Sequence, residues 1–164
     1  MDFIKKNLNK ILICAGIVFA VVAIIMLVAP GITPKSEYKN VPGITSYTMA
    51  QITFGHKMIH PLLGAEVEVF KFAVGNLFTY IFIVAGMVCA AVAFFGKGGK
   101  IMNYVAAGLL LVGGVLYFCA GKLLVLNGED SGTMTIGIGS IIGGIFSILA
   151  AAAVLTPAFL KIAE

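Results

Sequence analysis

Apolar positions in this chain gather into four long runs, at 11–29, 72–95, 104–126 and 136–155. A hydrocarbon layer about 30 Å thick needs about 20 apolar residues in a helix, and each run is long enough. The breaks between runs carry turn chemistry. Pro30, Gly31 and Pro34 end the first run, and Gly96, Lys97, Gly98, Gly99 and Lys100 separate the second from the third. Asn127, Gly128, Glu129, Asp130, Ser131 and Gly132 separate the third from the fourth. The pattern predicts an all-α membrane protein: a four-transmembrane-helix up-and-down bundle over 1–164, forming one domain.

The polar stretch at 31–71 changes period. Residues 46–54 are rich in β-branched and aromatic side chains, and residues 65–70 alternate apolar with acidic. A period of two predicts half-buried strands, hence a small extracellular β-hairpin in this first outer loop. An isolated hairpin is marginal in water, so it is expected to rest on the helix ends or on a partner.

Composition agrees with a lipid-facing chain. Of 164 residues, 60% are hydrophobic and 11% charged, against about a quarter charged in a soluble domain. The net charge of +4 comes from lysine alone. Without arginine, bidentate recognition of phosphates and base edges has lost its main tool, so no nucleic-acid partner is expected. Lys5, Lys6, Lys10, Lys97, Lys100 and Lys161 fall on the side shared by both termini and the tight middle turn. Lys35, Lys39, Lys57, Lys71 and Lys122 fall on the other. Charges in short flanks weigh most, which predicts both termini on the cytoplasmic side. The lysines before the first run would also suit a signal peptide. The run is long for that role and Pro30 makes a poor cleavage context, so a retained signal anchor is expected.

Candidate chemistry is sparse. His56 and His60 are spaced to share one helical face, and Glu66 and Glu68 could add oxygens. Pro61 limits a helix there, and no third histidine or H-E-x-x-H exists. No metal or other cofactor is therefore expected, His56 and His60 being the only candidate ligands. Cys14, Cys89 and Cys119 sit inside apolar runs without C-x-x-C spacing and read as small hydrophobes. The four runs contain no Asp, Glu, Arg or His; their one charge, Lys122, lies near a helix end, where its stem can snorkel to the headgroups. Asn76, Thr79, Tyr80, Tyr117, Ser140 and Ser147 remain as polar residues for interhelical hydrogen bonds. No base stands by a nucleophile, so no enzyme is expected.

The runs do carry packing signals. Gly139, Gly143, Ser147 and Ala151 recur every four residues in the fourth, a small-residue ridge suited to close helix approach, within the chain or against a partner. Ala107, Gly114 and Gly121 recur every seven in the third, the spacing of a left-handed seam. Ala85, Cys89 and Ala93 line up in the second, and Gly16, Ala20 and Ala23 in the first. Residues 15–23 also resemble 85–93, both stretches being Ala/Val/Gly-rich.

The layout of inside termini, a long first outer loop with strand character and a short second one resembles the claudin and peripheral-myelin-protein architecture. The claudin loop signature of tryptophans and two cysteines is missing, so barrier or pore function does not carry over. Thr53-Phe54-Gly55 and Asn76-Leu77-Phe78-Thr79-Tyr80 resemble motifs of small uncharacterised four-span proteins of low-GC Gram-positive bacteria, a likeness that implies no activity. The expected role is structural, accessory or interaction-based in the bacterial cytoplasmic membrane. Expected partners are the lipid bilayer and either further copies of the chain or another membrane protein. The alternative is a subunit of an oligomeric transporter or channel, with Asn76, Thr79 and Ser140 along its path.

Overall fold

A computed structural model describes residues 2–40, 44–59, 64–126 and 132–159. Helix α1 (Asp2–Ile25) runs through the first apolar stretch and on into a 3-10 turn at Met26–Val28. It starts in the lysine cluster rather than at 11. α3 (Val74–Phe94) and α6 (Ile138–Phe159) match the second and fourth runs closely, α6 continuing through Pro157. The third run is α4 (Gly99–Phe118) followed by α5 (Ala120–Leu126). At the junction Cys119 N–H reaches back to the Leu116 carbonyl at 3.0 Å, a tightened 3-10 step that interrupts the ladder. The expected seven-residue seam is thereby broken, and Gly121 on α5 faces open space. Among the described residues, four helices are long and apolar enough to cross a membrane: Asn7–Val28, Val74–Phe94, Gly99–Phe118 and Ile138–Phe159.

These four form a square. α3 packs on α4, α4 on α6 and α6 on α1, while the α1–α3 side closes with fewer contacts. Facing pairs fix the directions. Gly16 lies against Ala150 and Val154 while Gly139 lies against Ala29, so α1 and α6 are antiparallel. Gly86 against Leu110 and Gly113 against Ile83 do the same for α3 and α4, and Gly114 against Gly144 for α4 and α6 when Tyr117 meets Gly143. The bundle is up-down-up-down, with the start of α1, the end of α6 and the α3–α4 turn at one end, here the lysine end. That turn is tight because Gly96, Gly98 and Gly99 all hold positive φ, where a side chain would be strained. Outward faces carry Val18, Val21 and Ile25 on α1, Ile81, Val84 and Val88 on α3, and Ile141, Ile145 and Leu149 on α6. Such apolar surface all round fits a multi-pass membrane protein.

The opposite, sheet end is built differently from the expected hairpin. β1 (Pro30–Pro34) pairs with β2 (Tyr47–Thr48) and with β5 (Met134–Ile136), giving a three-stranded antiparallel sheet of order β2-β1-β5. Ile32 lies opposite Ile136, and Thr33 opposite Thr135. The two loops at this end therefore share one sheet, continued by Lys35 N–H donating to the Thr133 carbonyl at 3.0 Å and flanked by the Lys35 ammonium donating to the Gly132 carbonyl. After Thr48 the chain turns into helix α2 (Met49–Phe54), where a strand over 46–54 was expected. The reason is a capping box. Thr48 Oγ1 accepts from Gln51 N–H at 3.2 Å, and Gln51 Oε1 accepts from Thr48 N–H at 2.9 Å. Met49, Ile52 and Thr53 are then buried at helical spacing. Gly55, at φ 89°, ends α2 and starts β3 (His56–Ile59), which pairs with β4 (Glu66–Phe70). The 65–70 strand is thus present, but its partner is 56–59, the stretch expected to connect the two strands.

Candidate functional site: the polar interior and the sheet end

Tyr117 occupies the middle of the square. Its ring is fully buried and lies against Gly143, where even a methyl would come within 2.7 Å of Cζ. Its hydroxyl donates to the Ala23 carbonyl of α1. Since α1 and α4 stand on a diagonal, this one side chain ties the corners that helix packing leaves apart. Tyr80 of α3 meets the same ring edge-on at 5.8 Å between centroids. Ser147 closes the α6–α4 side by donating to the Leu110 carbonyl at 2.7 Å.

Nearer the sheet end, side chains of the long helices hold the cap in place. The last carbonyls of a helix lack intrahelical donors, and α2 finds its donors in the start of α3. Ala73 N–H donates to the Thr53 carbonyl at 2.9 Å, and Asn76 Nδ2 to the Ile52 carbonyl at 3.4 Å. Ser140 of α6 donates to the Gly31 carbonyl of β1 at 2.8 Å, with Met49 Sδ at 3.0 Å. Asn76 and Ser140, expected as glue or as path-lining groups, are both fully buried and each joins the cap to the bundle. Among the described residues, four buried side-chain atoms have no hydrogen-bond partner: Asn76 Oδ1, Thr79 Oγ1, Tyr80 OH and Asn103 Oδ1.

The small-residue ridge of α6 is occupied inside the chain. Gly139 faces Ala29 and Pro30, Gly143 faces Tyr117, and Ser147 bonds Leu110. Ala151 is buried beside a groove between α4 and α6. The first three positions therefore offer no surface to a partner, because α1 and α4 already fill it.

His56 opens strand β3 rather than sitting on a helix, so the helical spacing that would pair it with His60 does not apply. Its Nδ1 lies 3.4 Å from Gln51 Nε2, and its ring 5.9 Å from that of Tyr47. His60 lies outside the described residues. Glu66 makes an exposed ion pair with Lys57 at 3.6 Å, worth little in water. No group of three or more His, Cys, Asp or Glu is placed to hold a metal ion among the described residues. Cys14 lies on an outward face and Cys89 and Cys119 are half-buried, all three as free thiols. Tyr47 is buried against Phe70, the rings edge-on at 4.8 Å, and this burial raises its phenol pKa above the ordinary value.

Sequence reasoning missed the α2 cap and the β1–β5 pairing. The first had a readable signal, Thr-x-x-Gln at 48–51; the second had none, because the three residues Met134–Ile136 at the start of an apolar run are too few to show a strand period. No protein-family model, curated protein or solved structure matches the chain.

Proposed function

We propose that this chain is a non-enzymatic integral protein of the bacterial cytoplasmic membrane, with both termini cytoplasmic, acting as a structural or accessory interaction partner through its sheet end. The observation that carries this reading is how the polar groups are used. The hydroxyls of Tyr117, Ser140 and Ser147 and the Asn76 amide are each spent on a carbonyl of another element. These contacts rigidify a scaffold, which supports a structural rather than a chemical use of the hydroxyls. The exposed β3–β4 hairpin supplies the contact surface. It presents Ile59 and Val67 outward, with the rings of Phe54 and Phe72 tilted against each other at its base, centroids 6.5 Å apart. An unpaired strand edge beside apolar side chains suits β-strand addition by a partner.

The test is crosslinking in native membranes from a photoreactive residue at Val67, followed by purification in mild detergent. A specific crosslinked partner or second copy is expected. A strictly monomeric protein with no adduct would refute the proposal. The transporter-subunit reading is kept by one observation, the unpaired Asn76 Oδ1, Thr79 Oγ1 and Tyr80 OH on one face of α3. Solute flux in proteoliposomes that Thr79→Val abolishes would favour it.

A further inference from the structure

Between α4 and α6 a groove of about 400 Å³ opens toward the outside of the bundle, lined by Tyr104, Ala107, Gly108, Leu111, Ala151 and Ala152 among others. Its lining is almost wholly apolar. Gly108 on its wall, like Gly121 on α5, lacks the close neighbours that most helical glycines of this chain have. Gly113 and Gly114 of the same helix are needed where α3 and α6 come close, but a Cβ on Gly108 would meet nothing within 4 Å. Glycine is the weakest helix former short of proline, and no packing within the chain accounts for it here. The mouth of the groove lies at the lysine end. There Tyr104 pairs edge-on with Phe159 at 5.9 Å. Lys100 sits one turn before Tyr104 on the same face of α4, and Lys97 lies in the adjoining turn. The described residues 97–104 and 152–159 carry two lysines and no acid.

We propose that this groove binds an anionic glycerophospholipid, one acyl chain lying against Gly108 and the phosphate held by Lys100, Lys97 and the Tyr104 hydroxyl. The proposal rests on the membrane reading above and adds a ligand to it. The groove runs from Tyr104 to Leu111, about 10 Å along the helix axis, which places its lining under the headgroup layer and its lysines within that layer. Tyrosine favours this boundary because its ring is apolar and its tip polar. A second copy in the same orientation would be a poorer occupant. It would bring its own Lys97 and Lys100 to the same level, like charge against like.

The experiment is native mass spectrometry of the detergent-purified chain offered equal amounts of phosphatidylglycerol and phosphatidylcholine. Two lysines near a lipid phosphate predict a preference for phosphatidylglycerol of roughly tenfold or more. Lys97→Gln with Lys100→Gln is expected to bring the two lipids close to parity while total retention persists. Gly108→Leu is expected to reduce retention of both, and the open space at 108 lets this variant fold, which a melting temperature no lower than that of the wild type would verify. Parity in the wild type, or retention indifferent to Gly108→Leu, overturns the proposal. A homodimer that Gly108→Leu dissociates while lipid retention stays constant also overturns it, in favour of a second copy. Carbonate washing separates the two levels. A chain left in the membrane pellet but showing parity refutes the lipid site alone, whereas a chain released into solution refutes the membrane reading as well.

Discussion

Tyr117 and Gly143 show how a single contact sets tolerance at the residue scale. The ring fills the centre only because position 143 has no side chain. Gly143→Leu forces the ring out of its place or the helices apart, and overpacking of this kind costs about 1–3 kcal/mol. A clear drop in melting temperature in detergent is expected, whereas Gly108→Leu, on the open wall of the groove, does not lower it. Equal effects of the two substitutions would mean that the centre is not packed as described. Both residues are glycines in apolar runs, and their opposite roles are not visible from the runs themselves. Periodicity flags 143 as part of a ridge, but the aromatic partner that makes it critical comes from another helix 26 positions earlier in the chain.

At the scale of elements, the cap around α2 is governed by local chemistry and by burial. Thr48→Ala removes one half of the capping box, a loss of about 1 kcal/mol. Faster hydrogen exchange over 49–54 is expected, with the long helices little affected; unchanged exchange there would count against the cap. Tyr47 gives the same region a pH dependence. Its phenol pKa is raised in the fold by burial, so the neutral form is favoured there. The stability it contributes is complete below the ordinary tyrosine pKa of about 10, and is lost as pH rises through the folded value. Exchange at 47–59 should therefore accelerate in alkali, and Tyr47→Phe should lessen that acceleration. A Phe variant with the same alkaline profile as the wild type would rule this out. The strand expected over 46–54 failed because β-branched content outweighed the cap signal, although Thr48 and Gln51 stood at the right spacing.

For the whole molecule, the decisive feature is that both loops at one end share a sheet. Thr33 and Thr135 are direct antiparallel partners, and Cα atoms of such pairs lie about 4.5–5.5 Å apart, within disulfide range. Thr33→Cys combined with Thr135→Cys is expected to form a bridge on mild oxidation, detected as a linked peptide by non-reducing mass spectrometry. Its absence under conditions that oxidise a surface control pair would argue for independent loops. This sheet also closes the bundle. β1 follows α1 directly and β5 leads into α6, so pairing them clamps the two helices at the end opposite the chain termini.

By itself the sequence determined the number of long helices among the described residues, the tight glycine turn between the second and third, and the strand at 66–70. Each of these is written in neighbouring residues: the length of an apolar run, a cluster of glycines, a period of two. Only the tertiary structure decided which loops pair, which face of each helix is inward, and what the small residues are small for. Those outcomes depend on contacts between residues far apart in the chain, such as Ile32 with Ile136, Tyr117 with Ala23 and Ser140 with Gly31. Local patterning marks a position as apolar, polar or small, but its role depends on the partner that the fold brings to it.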